Sequence, residues 1–401
     1  MSIKYNLKKT SKPLVRHLQL KKRACPVCSS KKKLNILNIN NWKKMDNKGK
    51  VYAINKKYCI CKKCDLVYTN PTVDPKIFDK LYENSIVGSF FNTKNSKNLN
   101  KIKFFDNLIK KYISKKYKVL EVGCGSGVLL KHLSTKYKFK KKNLLGIEPS
   151  KEIFKKLIKN KFFKIKNIFL DSLKQKKNYD FIVMDNVFEH FEFPRKSLKK
   201  ISNILNDKGL IYISIPNTEK IKGVQDDPFN HTCNYNSNNI RTLLNNNNFK
   251  IIKLSKDTNL INLIAKKSNN QLKIFKPNKK FFHNLRFKLK KINNKLKLLY
   301  KRADKIKLQI YKNNKKIVVF GAGNYSLWIL SILKIEKFIK YGVDNNLIYE
   351  NTIRNNITIY NPSKLKNIDY DKILVLSGVF KKDILNQLLQ MKIKRNKIIL
   401  F

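Results

Sequence analysis

Between Tyr117 and Leu133 the chain reads YKVLEVGCGSGVLLKHL. A short apolar run enters a turn with glycine at 123, 125 and 127, and leaves it with Val128, Leu129, Leu130 and Leu133 at helical spacing. Strand, glycine-rich turn and helix in this order open a βαβ unit, because the glycines let the backbone turn sharply and approach a ligand at a helix N-terminus. Glu121 stands at the end of that first strand. A carboxylate there would repel a pyrophosphate, and it favours a ligand that carries an amino acid and no phosphate.

The segments that follow extend the same pattern. NLLGIEPS gives a second strand ending in Glu148, about 20 residues past the last glycine, where a carboxylate accepts both hydroxyls of an unphosphorylated ribose. FFKIKNIFL predicts a third strand whose end, Ile168 to Asp171, faces an adenine; NYDFIVMDNVFEHF predicts a fourth, and LNDKGLIYISIPN, from Leu205 to Asn217, a fifth. The alternation of strands and helices implies the α/β class, with ligand groups at the C-terminal ends of parallel strands.

Five of the seven cysteines crowd between Cys25 and Cys64. Two Cys-x-x-Cys knuckles, Cys25 with Cys28 and Cys61 with Cys64, lie about 33 residues apart and can place four thiolates tetrahedrally around zinc. Four protein ligands leave no open position for chemistry, so the expected role is structural, with Cys59 a spare of worse geometry. The alternative is a pair of ordinary buried cysteines, which explains one knuckle easily and two poorly.

Lysine and arginine number 89 against 26 acids, a formal net charge of +63. That excess fits a polyanionic partner, such as nucleic acid, an anionic membrane surface or a nucleotide-linked substrate. The lysines are scattered over every segment, however, and lysine, asparagine, isoleucine and phenylalanine are abundant together, as A/T-rich coding would produce. No run of about 18 apolar residues occurs and no signal-peptide pattern is read at the N-terminus. The expectation is a cytoplasmic protein without a membrane span.

At EVGCGSG, GIEPS, DNVFEHF and LNDKGLIYISIPN the chain resembles class I S-adenosylmethionine-dependent methyltransferases. The resemblance implies S-adenosylmethionine as cofactor and Glu121, Gly123, Gly125, Gly127, Glu148 and Asp185 as cofactor-binding residues, with Asp171 a further candidate near the adenine. His190, at the end of the fourth strand, and His231, in the loop DDPFNHTCNY, are candidate general bases or plain structural histidines; Tyr235 orients a substrate or packs. The Asn- or Asp-Pro-Pro-aromatic run of methylases that act on nucleobase amines is missing at Asp185 to Phe188, which argues against a nucleic-acid acceptor.

The whole chain is similar to methyltransferases of nucleotide-linked deoxysugars, which join an N-terminal zinc module, a methyltransferase domain and a C-terminal Rossmann-like domain. The resemblance implies a nucleotide-linked sugar as acceptor. LYENSIVGSFF and DDPFNH depart from the carbon-methylating members, so C-, O- and N-methylation stay open. A zinc-ribbon nucleic-acid-binding protein or an RNA methyltransferase is the alternative.

The expected organisation is therefore a zinc-binding module at 1–75, a methyltransferase domain at 76–267, a basic helical linker at 268–314 and a Rossmann-like domain at 315–401. In the last, KKIVVFGAGNYSLWIL carries Gly321 and Gly323, Ser326 replaces a third glycine, and Asp344 falls at the usual ribose-binding place. That unit either binds a nucleotide or only packs against the rest.

Overall fold

The computed structural model describes residues 16–45, 51–84, 96–174, 177–220, 231–256, 259–268, 279–313, 315–354, 356–378 and 380–401. Residues 85–91 and 226–230, within two of the segments quoted above, lie outside the described residues, as do 269–278 of the basic stretch.

The central sheet has seven strands in the spatial order Phe249–Ser255, Leu260–Lys267, Leu205–Pro216, Tyr179–Asp185, Val119–Val122, Leu144–Ile147 and Lys164–Lys166. The last five are parallel, and Leu260–Lys267 runs antiparallel to both of its neighbours. Alternate side chains feed two cores: Leu120, Ile182, Ile211 and Ile213 on one face, Val119, Phe181, Val183 and Tyr212 on the other. Burial on both faces explains why these strands read as near-continuous apolar runs. Helices cover them, as in Pro194–Ile204, whose Pro194, Leu198, Ile201 and Ile204 form one buried stripe.

The expected third strand shrinks to Lys164–Lys166. Phe163, just before it, is buried at van der Waals distance over the glycine turn, and Leu170–Ser172 closes into a 3-10 turn, which leaves few residues to extend the ladder.

The N-terminal sheet is a long hairpin, Lys33–Met45 with Val51–Cys61, joined on one side by Val67–Thr69. Its edge is completed from far along the chain: Cys233–Asn234 pairs antiparallel with Val67–Thr69, placing Cys233 opposite Tyr68. A strand from the expected methyltransferase segment thus belongs to the N-terminal sheet.

Arg23 locks this junction. Its guanidinium donates to Glu192 Oε1 (2.7 Å) and Glu192 O (2.9 Å), to Thr69 O (3.0 Å) and to Thr232 O (2.8 Å), while Thr72 Oγ1 holds the other Glu192 oxygen at 2.9 Å. Both charged side chains are almost fully buried.

The C-terminal sheet has six strands, ordered Thr352–Arg354, Ile357–Tyr360, Ile339–Val343, Ile317–Phe320, Lys372–Val375 and Ile398–Leu400. Leading into it, the basic stretch forms a 34-residue helix, Lys279–Lys312. Leu285, Leu289, Ile292, Leu296, Ala303, Ile306 and Ile310 recur at spacings of three, four or seven residues and are buried in one core with the N-terminal hairpin and the helix Asn324–Leu333. Trp42 and Trp328 meet in that core with ring centroids 4.5 Å apart, and Trp328 Nε1 donates to Asn40 O at 3.0 Å. The helix is a strut between the first and last sheets, with its lysines mostly on the outer side. Among the described residues no helix is long and apolar enough to cross a membrane.

Removing one partner of a buried ion pair leaves the other charge desolvated without compensation. Arg23→Ala is expected to lower the free energy of unfolding by about 3–5 kcal/mol in denaturant titration. Lys21→Ala, which breaks the exposed pair with Asp74, should cost under about 1 kcal/mol. Equal effects of the two would contradict the account of the junction.

Candidate active site

The strand Val119–Val122 delivers the chain into a turn where Gly123, Gly125 and Gly127 all have left-handed φ, +63°, +51° and +69°. A Cβ on Gly123 would lie 2.6 Å from Val187, and one on Gly127 would lie 2.1 Å from the Phe163 ring. Both the backbone conformation and the close neighbours therefore demand glycine at these two positions.

Glu148, at the end of the adjacent strand Leu144–Ile147, braces the turn. One carboxylate oxygen accepts from Gly125 N and the other from Ser150 N, each at 2.9 Å. Asn167 Nδ2 holds the Glu148 and Pro149 carbonyls from the third strand's side, at 2.8 and 2.9 Å. Each Glu148 oxygen keeps a further lone pair, which suits a pair of ribose hydroxyls.

Glu121 is 2% exposed, and its Oε2 has no hydrogen-bond partner among the described residues. Burial pushes its carboxyl up to about 8. Asp185 closes the same space from the fourth strand and forms an ion pair with Lys101 of the helix Ser96–Ile109. Burial works against the Lys101 ammonium, but Asp185 and Glu121 more than offset it and hold the group above its ordinary value. A buried carboxyl with one unpaired oxygen, next to a second acid, fits the cationic end of an amino-acid-bearing ligand, and Glu148 fits its ribose. Asp171 does not join this group: it is exposed and pairs with Lys196 at 3.0 Å.

Beyond Asp185 the chain enters the short turn Phe188–His190. Val187, against Gly123, keeps this turn next to the glycine loop. Here Glu189, His190 and His231 come together. His231 Nε2 is 3.6 Å and His190 Nε2 4.0 Å from Glu189 Oε1, and the two imidazole rings are 4.7 Å apart. His231 is placed by its neighbour: Thr232 N donates to Glu189 O (3.1 Å) and Thr232 Oγ1 to Phe191 O (3.2 Å), just before the strand Cys233–Asn234. Burial pushes the Glu189 carboxyl up to about 8 and the His231 imidazole well below its ordinary value, so that His231 is neutral near neutral pH. The His190 ring lies edge-on to Tyr82 at 5.6 Å. Tyr235 is fully buried against Phe188, with its hydroxyl pushed well up by burial, and acts in the core.

The four cysteines of the two knuckles also converge. Cys25 Sγ and Cys64 Sγ are 3.5 Å apart, Cys28 Sγ and Cys61 Sγ 3.4 Å, and all four sulfurs lie within 4.8 Å of one another. Four thiolates bound tetrahedrally at about 2.3 Å would have edges of about 3.8 Å, so the set could hold a zinc ion. Cys59 is outside it, its thiol directed to Tyr68 O at 3.6 Å.

In the C-terminal unit the acid again braces the turn: Asp344 accepts from Ala322 N at 2.7 Å and from Asn346 N at 2.8 Å. Arg354 Nε donates to Ala322 O at 2.7 Å, and its guanidinium lies over the Tyr349 ring. Ser326, in the third glycine's place, bonds Leu376 O at 2.8 Å.

Lys101, Glu189, Asn167 and Arg23 escape the sequence reading. Lys101 and Arg23 are single cations in a chain crowded with them, and only the three-dimensional contacts separate them from the rest. Glu189 stands beside the singled-out His190, and that adjacency is its one signal in the sequence.

Comparison with known proteins places these features in families. Residues 92–254 match the family model described as "Methyltransferase domain", and residues 313–399 match the one described as "C2185-like, N-terminal". No curated protein sequence matches. Among solved structures, the chain is similar to a SAM-dependent methyltransferase from Aquifex aeolicus, with 18% identity over 48% of this chain and 98% of that one and a TM-score of 0.36. It is also similar to an S-adenosylmethionine-dependent methyltransferase from Clostridium acetobutylicum, with 16% identity over 44% and 100% and a TM-score of 0.30. A third similar structure is the plantazolicin methyltransferase BpumL in complex with a monoazolic desmethylPZN analog and SAH, with 17% identity over 44% and 86% and a TM-score of 0.36.

The two glycine turns respond differently to a methyl group. Gly127→Ala meets Phe163 and a left-handed backbone, and is expected to cost about 1–3 kcal/mol. Gly323→Ala meets open space at φ −73°, where only the weaker N-cap of Ala counts against it, and should cost under about 1 kcal/mol. Thermal unfolding of the two variants checks the contrast, and an equal loss in both would contradict it.

Proposed function

Because this chain is an S-adenosylmethionine-dependent methyltransferase built on a Rossmann-like domain, we propose that its methyl acceptor is a sugar or glycan precursor carried on a nucleotide. The observation that carries this reading is the cluster of Glu189, His190 and His231, which lies against the glycine turn and is closed by a strand of the N-terminal sheet. A compact polar cluster of this kind suits a hydroxylated acceptor. The side chains at Asn186 to Phe188 offer no Pro-aromatic platform for a nucleobase. The second glycine turn, with Asp344 and Arg354 beside it, supports a place for the nucleotide part of the same substrate.

In this reading Glu148 takes the ribose hydroxyls of the donor, the turn at Gly123, Gly125 and Gly127 lets it approach the backbone, and Glu121 and Asp185 face its amino-acid end. S-adenosylmethionine supplies an electrophilic methyl group on a sulfonium. The chain's own contribution is to hold the acceptor in line, against the cluster of Glu189, His190 and His231. Zinc held by Cys25, Cys28, Cys61 and Cys64 is structural: it fixes the hairpin that carries Val67–Thr69, and through that strand the position of His231.

Titration calorimetry with S-adenosylhomocysteine should show binding, abolished in Gly125→Arg, and lack of binding would overturn the assignment. The free Glu121 carboxyl, pushed up to about 8, is mostly protonated at pH 7. A cationic donor favours the ionised form, so S-adenosylmethionine binding should release protons at pH 7, tighten as pH rises through about 8, and lose this dependence in Glu121→Gln. Metal analysis of the purified chain should find about one zinc, lost when Cys25 and Cys28 are both serine. A zinc-free chain of unchanged stability would contradict the structural role.

A further inference from the structure

We propose that Glu189, His190 and His231 form a binding site for a divalent metal ion on the acceptor side, distinct from the four-cysteine site. The proposal deepens the reading of this wall as the acceptor side and rests on it.

The first observation is a carboxylate in the wrong surroundings for a carboxylate. Glu189 is 2% exposed, and neither of its oxygens has a hydrogen-bond partner among the described residues. Without a partner such a group is neutral when buried, and it is held as a carboxylate only where a cation, such as a metal ion, faces it. The groups that face it are two imidazole nitrogens, at 3.6 and 4.0 Å from Oε1. These separations are too long for hydrogen bonds, which need about 2.7–3.2 Å, so a direct proton relay from Glu189 through either histidine is not what the geometry holds. They are close to the spacing of ligands on one ion: bonds of about 2.1 Å give edges of about 3.0–3.4 Å. One ligand atom from each of the three residues lies within 4.8 Å of the others.

The second observation is how firmly the three are presented. Glu189 and His190 sit in one short turn, where His190 N donates to Val187 O at 3.0 Å. His231 is fastened to the same turn by Thr232 N on Glu189 O, and Arg23 fastens Thr232 O in its turn. Ligands on a fixed backbone lose little entropy when they close on an ion.

Two imidazoles and one carboxylate select a borderline divalent ion such as Mn²⁺, Fe²⁺ or Zn²⁺, and leave coordination positions open, unlike the four cysteines. Open positions on such an ion take oxygen or nitrogen donors and no carbon. On the hydroxylated acceptor proposed above, the donor that reaches the ion is a hydroxyl oxygen, which favours O-methylation. In that reaction the acceptor hydroxyl gives its proton to solvent, the new O–CH₃ bond forms, and the S–CH₃ bond breaks with its electron pair passing to sulfur, which leaves S-adenosylhomocysteine.

The test uses Mn²⁺ alone as probe, on the full chain with its zinc retained, read as loss of the free-ion signal in electron paramagnetic resonance. A formal charge of +63 disfavours adventitious binding of a cation elsewhere. The expected result is about one Mn²⁺ per chain, weakened at least about tenfold in Glu189→Gln and in His231→Asn. S-adenosylhomocysteine titration of the same samples reports whether the variants fold. A chain that binds S-adenosylhomocysteine and no Mn²⁺ overturns the metal site and leaves the methyltransferase reading standing. Mn²⁺ binding that persists unchanged in both variants also overturns it. Mn²⁺ binding that needs Glu189 and His231 in a chain without affinity for S-adenosylhomocysteine supports the site and overturns the methyltransferase reading instead.

Discussion

The Arg23 guanidinium reaches three parts of the chain at once: the strand Val67–Thr69, the residue preceding Cys233–Asn234, and Glu192 at the start of the helix-bearing segment after the fourth strand. Planar geometry and five donors let one side chain satisfy carbonyls and a carboxylate together, which a lysine could not do. The arrangement of the acceptor wall depends on it. His231 comes from a segment that would otherwise be a connection over the surface; strand pairing to Val67–Thr69 and the Arg23 bond to Thr232 O turn it into a fixed neighbour of Glu189. The N-terminal sheet thus contributes to the wall proposed for the acceptor.

A second regularity joins the two Rossmann-like units. In each, the acid at the end of the second strand ties the glycine turn to its own strand: Glu148 to Gly125 N and Ser150 N, Asp344 to Ala322 N and Asn346 N. The device holds the turn open with backbone donors committed to a carboxylate that keeps spare lone pairs. The units differ in what surrounds it. The first has buried acids, Glu121 and Asp185, and three left-handed glycines; the second has a guanidinium at the turn and Ser326 filling the third glycine's place. Acids favour a cationic ligand and a guanidinium an anionic one, which agrees with a donor in the first unit and a nucleotide in the second.

Much of this was legible in the sequence because it is local. Gly123, Gly125, Gly127 and Glu148 announce themselves through spacing, and the apolar runs at Val119–Val122, Leu144–Ile147 and Tyr179–Asp185 are strands buried on both faces. The cysteine knuckles carry their own geometry. What stayed hidden is non-local. The pairing of Cys233 with Tyr68 reaches across the five parallel strands of the central sheet, and nothing in the dipeptide Cys233–Asn234 marks it as a strand. Lys101 and Arg23 are masked by a composition in which cations are everywhere. Asp171 shows the converse: position along the chain suggested an adenine contact, whereas its side chain turns to solvent and Lys196. The basic stretch before the last domain read as a surface linker, yet its heptad-like apolar stripe makes it the strut on which the first and last sheets pack.

The methyl donor is proposed to occupy the first glycine turn, with the acceptor wall at its side. Hydrogen–deuterium exchange of the full chain with and without S-adenosylhomocysteine tests it most directly, since turn amides that face a bound ligand exchange more slowly. Protection is predicted at residues 121–127, 146–150 and 185–190, with residues 320–327 unchanged. Protection confined to residues 320–327, with the first turn unaffected, would contradict the claim and move the donor to the C-terminal unit.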